Sequence, residues 1–248
     1  VAAYKDVTFS NLEADTTLNV YSGDSVTATL ADASGLTDHL TVNLATKSGD
    51  KGFNHTIGAV VVANVETVTL DSSGLTDGKI NTLSALTSDA TTTTLNITGN
   101  SDLVLSDISS LTGASTIDAS AFTGDLSLSG ASTLVQAITT GAGNDTITMG
   151  ANLTDTDVID GGANTALTSG AAGKDTVTLS GAYGTVVTAS TPQIANVETI
   201  QYSNAGTDVY LNATTITGAS SLAFSASAGT TTLTNVAAGQ VIGNGIGT

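Results

Sequence analysis

The sequence of 248 residues contains no cysteine and no arginine, and its only basic side chains apart from two histidines are five lysines. The lack of cysteine excludes disulfide bridges, thiolate metal sites and cysteine nucleophiles. With 22 acidic residues the formal net charge is −17, whereas binding nucleic-acid phosphates requires clustered cations. We therefore expect no binding to nucleic acid and repulsion from anionic membrane surfaces.

Long apolar runs and targeting segments are also missing. There is no run of about 18 apolar residues, so the sequence predicts no transmembrane helix and no insertion into a membrane. No secretory signal peptide opens the chain, and the first residue is Val1 rather than methionine. We interpret the chain as a processed product or as an internal piece of a longer protein.

Tryptophan is absent, aromatic residues make up 4% of the chain, and the good helix formers are scarce. Abundant Thr, Ser, Gly and Asn surround short segments in which Val, Leu or Ile alternates with a polar residue, and this pattern predicts half-buried strands. Only the stretch 79–86 is a plausible helix. We predict an all-β, elongated repeat architecture, a β-solenoid or β-roll of short strands, with a β-sandwich as the alternative. The alternating segments are 7–9, 26–30, 40–44, 95–97, 103–105, 126–128, 147–149, 177–179, 200–202, 209–211 and 222–224.

Internal repeats divide the chain. The sequence Ala-Asn-Val-Glu-Thr occurs at 63–67 and again at 195–199, and Asp-x-Ser-Gly-Leu-Thr-Asp occurs at 32–38 and 71–77. We interpret residues 1–31 as the end of one repeat and 217–248 as the truncated start of another. Two repeats lie between them, at 32–117 and 118–216, and the second carries a Gly/Asp-rich insert at about 139–180.

That insert contains a sequence typical of calcium-binding loops. Residues 140–148, Thr-Gly-Ala-Gly-Asn-Asp-Thr-Ile-Thr, fit the nonapeptide G-G-x-G-x-D-x-U-x except at its first position. Glycines permit tight turns that direct carbonyl oxygens inward, and Asp145 adds a carboxylate. Ca²⁺ takes six to eight oxygen ligands, so a second turn must complete the site.

Candidates for the second turn follow in the sequence. Residues 170–178 fit the same pattern with Ala171 in place of the second glycine. Asp157 and Asp160 lie between the two motifs, and 164–172 reads as an inserted loop. The alternative is that these segments are ordinary Asn-Asp and Gly-Gly hairpin turns.

The motifs at 141–147, 160–163 and 173–175, with the two Asn-Val-Glu-Thr segments, resemble secreted repeats-in-toxin proteins. More narrowly, the chain is similar to calcium-dependent surface-layer proteins of Gram-negative bacteria. The resemblance implies secretion, folding on extracellular Ca²⁺ and self-assembly into a lattice. It maps calcium ligands first onto Asp145 and Asp175. The full candidate set is Gly141, Gly143, Asn144, Asp145, Asp157, Asp160, Gly173 and Asp175.

Catalytic motifs are not found. His39 and His55 do not form a His-x-x-x-His zinc site, and there is no Gly-x-Ser-x-Gly elbow. Paired carboxylates serve glycoside hydrolysis, but sugar-binding sites usually add aromatic side chains, which are few here. We predict that the chain is not an enzyme and has no catalytic residues.

The sequence therefore predicts a secreted, extracellular structural protein of the cell surface. We expect calcium as its cofactor, copies of itself as partners in a lattice or filament, and cell-surface polysaccharide as a second partner. The alternatives are an adhesin or biofilm-matrix binding module, and the non-catalytic calcium-binding tail of a secreted enzyme.

Overall fold

The fold is described from a computed structural model of the chain. The part of the chain that this structure describes comprises residues 6–21, 25–32, 35, 37–44, 51–76, 78–130, 134, 136–150, 152–154, 156–164, 174–180, 193–203, 209–212, 216–218, 221–225, 231–236 and 238–244.

These residues form β-strands and no α-helix, so they contain no helix that spans a membrane. The strands are short because glycine, asparagine and aspartate interrupt every alternating segment. In chain order they are β1 (Asp6–Leu12), β2 (Thr16–Val20), β3 (Ser25–Leu30), β4 (His39–Leu44), β5 (His55–Ala63), β6 (Thr67–Ser72), β7 (Ile80–Ser88), β8 (Thr94–Gly99), β9 (Asp102–Leu105), β10 (Thr116–Asp118), β11 (Leu126–Ser129), β12 (Ala137–Thr139), β13 (Thr146–Gly150), β14 (Val158–Asp160), β15 (Thr176–Ser180), β16 (Gln193–Ala195), β17 (Thr199–Ser203), β18 (Val209–Asn212), β19 (Ile216–Thr217), β20 (Ser221–Ser225), β21 (Thr231–Thr234) and β22 (Val241–Asn244).

Successive strands alternate between two parallel sheets, so the chain winds as a β-solenoid. The front sheet has eleven strands in the order β1-β3-β5-β7-β9-β11-β13-β15-β17-β20-β22. The back sheet has nine strands in the order β2-β4-β6-β8-β10-β12-β14-β16-β19. Strands β18 and β21 form a separate two-stranded sheet. We call the loops that lead from a back strand into a front strand the front corner, and those that lead the other way the back corner.

The core lies between the two sheets and consists of small aliphatic side chains. In β3, for example, Val26, Ala28 and Leu30 are buried while the threonines between them are half-buried on the outer surface. Parallel register stacks each inward residue on its equivalent in the next coil, as Leu128 stacks on Ile147 and Ile147 on Val177. Each fully buried Val, Leu or Ile contributes roughly 1.5–3 kcal/mol. A one-residue slip would turn all of them outward, which fixes the register.

The repeated Ala-Asn-Val-Glu-Thr segments form the same local structure at opposite corners. Asn64 and Asn196 both have positive φ, 61° and 54°, which asparagine tolerates better than most residues. The valine that follows is fully buried in both copies, Val65 and Val197. The first copy leads from β5 to β6 and the second from β16 to β17, so the motif forms a corner in either direction.

The predicted solenoid is confirmed, and the β-sandwich alternative is wrong. The stretch 79–86 is not a helix, because residues from Ile80 onward form strand β7. The hairpin interpretation of the Gly/Asp segments is also wrong where they are described, because loop 140–145 connects β12 of the back sheet to β13 of the front sheet and these two strands do not pair with each other. The division into repeats stays a prediction.

Candidate metal centre

One inward-facing position at the front corner carries the two main candidate ligands, Asp145 and Asp175. It lies at the start of each front strand, or just before it, and two residues before a buried aliphatic residue. The strand registers place its occupants in one line across successive coils. We call this line the inner corner column, and it contains His55, Asn81, Leu103, Leu126, Asp145, Asp175 and Glu198.

The carboxylates of the column join each coil to the one before it. Asp145 Oδ1 accepts a hydrogen bond from the Leu126 N–H at 2.9 Å, and Asp175 Oδ1 accepts one from the Asp145 N–H at 2.8 Å. Glu198 Oε2 accepts the Asp175 N–H, also at 2.8 Å. Corner N–H groups lie outside the strand ladders, and a carboxylate acceptor makes a strong hydrogen bond to them.

Carboxylates at the back corner have the same role. Glu66 Oε2 accepts the Asp38 N–H at 2.8 Å, and Asp157 Oδ1 accepts the Gln136 N–H at 2.7 Å. Joining coils through a carboxylate is therefore a general feature of this solenoid, and it needs no metal.

The second oxygen of each carboxylate distinguishes the members of this group. Asp157 Oδ2 accepts the Thr154 N–H at 2.6 Å, and Glu198 Oε1 accepts the Asn164 amide at 2.8 Å. Asp145 Oδ2 and Asp175 Oδ2 are buried and have no hydrogen-bond partner among the residues that the structure describes. Their side chains are 1% and 2% exposed. Two successive coils thus bury one unpaired carboxylate oxygen each, which is costly for an ionised group.

The titration of these aspartates reflects that cost. Burial, together with repulsion from the carboxylates of Asp145, Glu198 and Asp125, raises the pKa of Asp175 from 3.8 to about 7, and the hydrogen bond from the Asp145 N–H partly offsets that rise. Burial and the Asp125 carboxylate also raise the pKa of Asp145, and this rise is partly offset by the hydrogen bond from the Leu126 N–H and by the nearby Thr140 hydroxyl and Gly141 N–H. Neither of these two nearby groups makes a hydrogen bond of good geometry to Asp145 Oδ2. A cation at this corner would offset both the burial and the repulsion among carboxylates.

Glycines bring backbone carbonyl oxygens close to these side chains. A Cβ on Gly161 would overlap the Asn196 carbonyl oxygen and lie 2.9 Å from Asp175 Oδ2. Gly162 has φ +75°, and its Cβ would overlap the carbonyl oxygens of Thr140 and Gly141. The asparagine oxygen Asn164 Oδ1 is also buried without a partner among the described residues.

This donor set fits a hard cation such as Ca²⁺, which binds carboxylate, carbonyl and amide oxygens in flexible geometry. Among the described residues, no group of three or more His, Cys, Asp or Glu side chains is arranged to hold a metal ion. An ion at this corner would therefore depend on backbone and asparagine oxygens in addition to one or two aspartates.

The predicted residues of the first motif lie together at the front corner. Gly141 and Gly143 pass so close to the preceding loop that a Cβ would meet the carbonyl oxygens of Phe122 and Gly124. Asn144 lies beside Asp145 on the outer side of the strand, where its N–H donates to Asp125 Oδ1 at 2.8 Å.

The remaining predicted residues are divided. Asp160 lies at the same corner, where its Oδ1 accepts the Gly162 N–H at 2.9 Å and the Asn196 amide at 2.7 Å. Asp157 precedes β14 at the back corner, so the structure does not bring it together with Asp145 and Asp175. Gly173 and most of the loop 164–172 lie outside the described residues. Lys174, the next described residue, is exposed, and its backbone N–H donates to Asn144 Oδ1.

Glu198 and Asn164 were missed as candidate site residues. A signal for Glu198 is present in the sequence, because Glu198-Thr199-Ile200 has the pattern of Asp145-Thr146-Ile147: an acid, a threonine and a buried aliphatic residue. Asn164 has no comparable signal, because only the winding of the coils brings it to Glu198.

Comparison with models of protein families, with curated proteins and with solved structures finds no match for the chain.

Proposed function

We propose that the chain is a calcium-stabilised structural protein that assembles with copies of itself into a bacterial surface layer or a similar extracellular sheet or filament. The observation that carries the proposal is the pair of buried, unpaired oxygens, Asp145 Oδ2 and Asp175 Oδ2, on successive coils beside glycine-rich loops. An ion that bridges two coils stabilises the stack, and this structural role requires no cavity that binds a substrate.

Calcium acts here through linkage. An ion that binds the folded chain and not the unfolded chain stabilises it by RT ln(1 + [L]/Kd), about 2.7 kcal/mol at a hundredfold excess of free ion over Kd. The ion also lowers the charge of a chain at −17. Repulsion between copies therefore falls under the same conditions that make the solenoid rigid, which supports assembly outside the cell, where Ca²⁺ is abundant.

The calcium site is tested by calorimetric titration of Ca²⁺ into the metal-free protein. We expect the double substitution Asp145→Asn with Asp175→Asn to weaken binding by about tenfold or more, because it replaces two charged carboxylates with neutral amides. Asp118→Asn is the matched control, since Asp118 is exposed and accepts a hydrogen bond from the Ser120 N–H. Equal affinities in all three proteins would remove Asp145 and Asp175 from any metal site.

Assembly is tested by negative-stain electron microscopy of the purified chain with Ca²⁺ and with a chelator. Sheets or filaments that appear only with Ca²⁺ support the structural role. Discrete particles under both conditions would contradict it and would favour the adhesin or binding-module alternative.

A further inference from the structure

The inner corner column changes its chemistry half-way along the solenoid. Its first members are the imidazole of His55 and the amide of Asn81, its middle members are Leu103 and Leu126, and carboxylates begin only at Asp145. Among the described residues the buried carboxylates are Asp145, Asp157 and Asp175. The described residues of the coils before β13 therefore include no buried carboxylate.

In the first half, polar groups at the front corner are paired largely with one another. The Asn81 amide donates to Ser72 Oγ at 3.0 Å, and Ser72 Oγ donates to the Ser101 carbonyl at 2.8 Å. Ser101 Oγ in turn accepts the Leu75 N–H at 3.0 Å. Asn81 Oδ1 is left without a partner among the described residues, but a neutral oxygen costs far less to bury than a charged one.

The core of the first half is also complete without an ion. Leu103 and Leu126 occupy the corner position with apolar side chains that are at most 1% exposed. Behind them, the front strands stack Leu83, Leu105 and Leu128 in direct register. These contacts are hydrophobic and do not depend on charge, so they persist whether or not metal is present.

The second half is built differently at the same position. Asp145 follows Leu126 in the column and Asp175 follows Asp145, each with an unpaired buried oxygen. The Leu126 N–H donates to Asp145 Oδ1, so the last apolar member of the column contacts the first carboxylate directly. This hydrogen bond marks the boundary between the two halves.

We propose that calcium controls only the second half of the solenoid, and that the coils up to β11 are a metal-independent template on which the coils from β13 onward order when the ion binds. The inference rests on the proposed calcium site. It limits to the second half the calcium-dependent folding that the resemblance implies for the whole chain. In a stack where each coil contacts only its neighbours, one part can be folded while the next part is not. The free edge of β11 then offers backbone groups for β13 to pair with.

The test is hydrogen–deuterium exchange of the full chain, read by mass spectrometry, in Ca²⁺ and in chelator. We expect peptides from β4 to β9 (residues 39–105) to exchange equally slowly under both conditions. Peptides from β13 to β17 (residues 146–203) should exchange about tenfold or more faster in chelator. Loss of protection in both halves together would overturn the template and leave the calcium site standing. No response in either half would overturn the calcium site and the template with it.

A substitution tests the cause. Asp145→Asn with Asp175→Asn gives the second half the neutral amide that Asn81 supplies in the first half. We expect the doubly substituted chain to keep its second half protected in chelator and to lose the response to Ca²⁺. Asp118→Asn, which changes an exposed carboxylate at the front corner, is the control and should keep the full response. A second half that still loses protection in chelator after the double substitution would show that buried charge is not what calcium offsets.

Discussion

The buried carboxylate of Asp175 makes a quantitative prediction for the metal-free protein. In the folded chain its pKa is raised from 3.8 to about 7, first by burial and then by the neighbouring carboxylates. A group with a raised pKa holds its proton more tightly in the folded state than in the unfolded state. The penalty for ionising it is therefore absent below pH 4, grows as the pH rises from about 4 to about 7, and is complete above pH 7.

The magnitude follows from the size of that rise. A pKa that is higher by about 3 corresponds to about 4 kcal/mol of free energy between the two protonation states. Asp175 is buried, but it lies at the edge of the core beside the exposed Lys174. Water near this edge weakens the field around the charge, so we reduce the penalty to about 2 kcal/mol. Burial raises the pKa of Asp145 as well, and that group contributes in the same direction.

The assay is urea unfolding followed by circular dichroism at pH 5, 6, 7 and 8 in chelator, comparing the natural chain with Asp175→Asn. We expect the natural chain to lose about 1 kcal/mol of unfolding free energy relative to the variant between pH 5 and pH 8, because part of the penalty is already present at pH 5. Saturating Ca²⁺ should reverse the slope, because the ion binds the ionised carboxylate in competition with the proton. If both proteins show the same pH dependence in chelator, Asp175 is not buried as an unpaired charge and the reasoning fails.

Two further substitutions separate packing from metal binding. Gly141→Ala places a Cβ against the Phe122 carbonyl oxygen, so we expect the unfolding free energy measured in urea to fall by about 1–3 kcal/mol. Gly52→Ala is the control, because its Cβ has open space around it and the substitution should be near neutral. Equal effects of the two substitutions would contradict the close approach at Gly141. Glu66→Ala leaves the Asp38 N–H without its acceptor and should cost about 1–3 kcal/mol, with no change in Ca²⁺ affinity by calorimetry. A weaker affinity would show that the back corner takes part in the metal site.

The alternating pattern predicts the longer front strands but not the shortest back strands. Val26, Ala28 and Leu30 show two full periods of alternation, and their segment is a strand. By contrast, β10, β12 and β14 have three residues each and one buried side chain each, Ile117, Ile138 and Ile159. One buried residue has no period, so those strands are recognised only from their place in the stack.

Only some residues of the candidate site could be predicted from local sequence. The nonapeptide identified Asp145 and Asp175, because glycine spacing and an aspartate before an alternating strand are local features. Asp157 was added to them because it lies between the two motifs, since sequence distance does not show at which corner a residue lies. Glu198 and Asn164 reach the site only through the winding of later coils.

Composition and periodicity are local properties, and they were enough to determine that this chain is all-β, which side chains face inward and which loops carry aspartate. Those features depend on each residue and its immediate neighbours. Asp145, Asp157 and Asp175 each lie two residues before a buried aliphatic residue. The tertiary structure alone decided that Asp157 has both oxygens satisfied, while Asp145 and Asp175 each keep one that is buried and has no partner among the described residues. The physical reason is that a hydrogen-bond partner at a solenoid corner comes from another coil or from the far side of a loop, at a sequence distance set by loop lengths. The Leu126 N–H lies 19 residues before Asp145, and the Asp145 N–H lies 30 residues before Asp175.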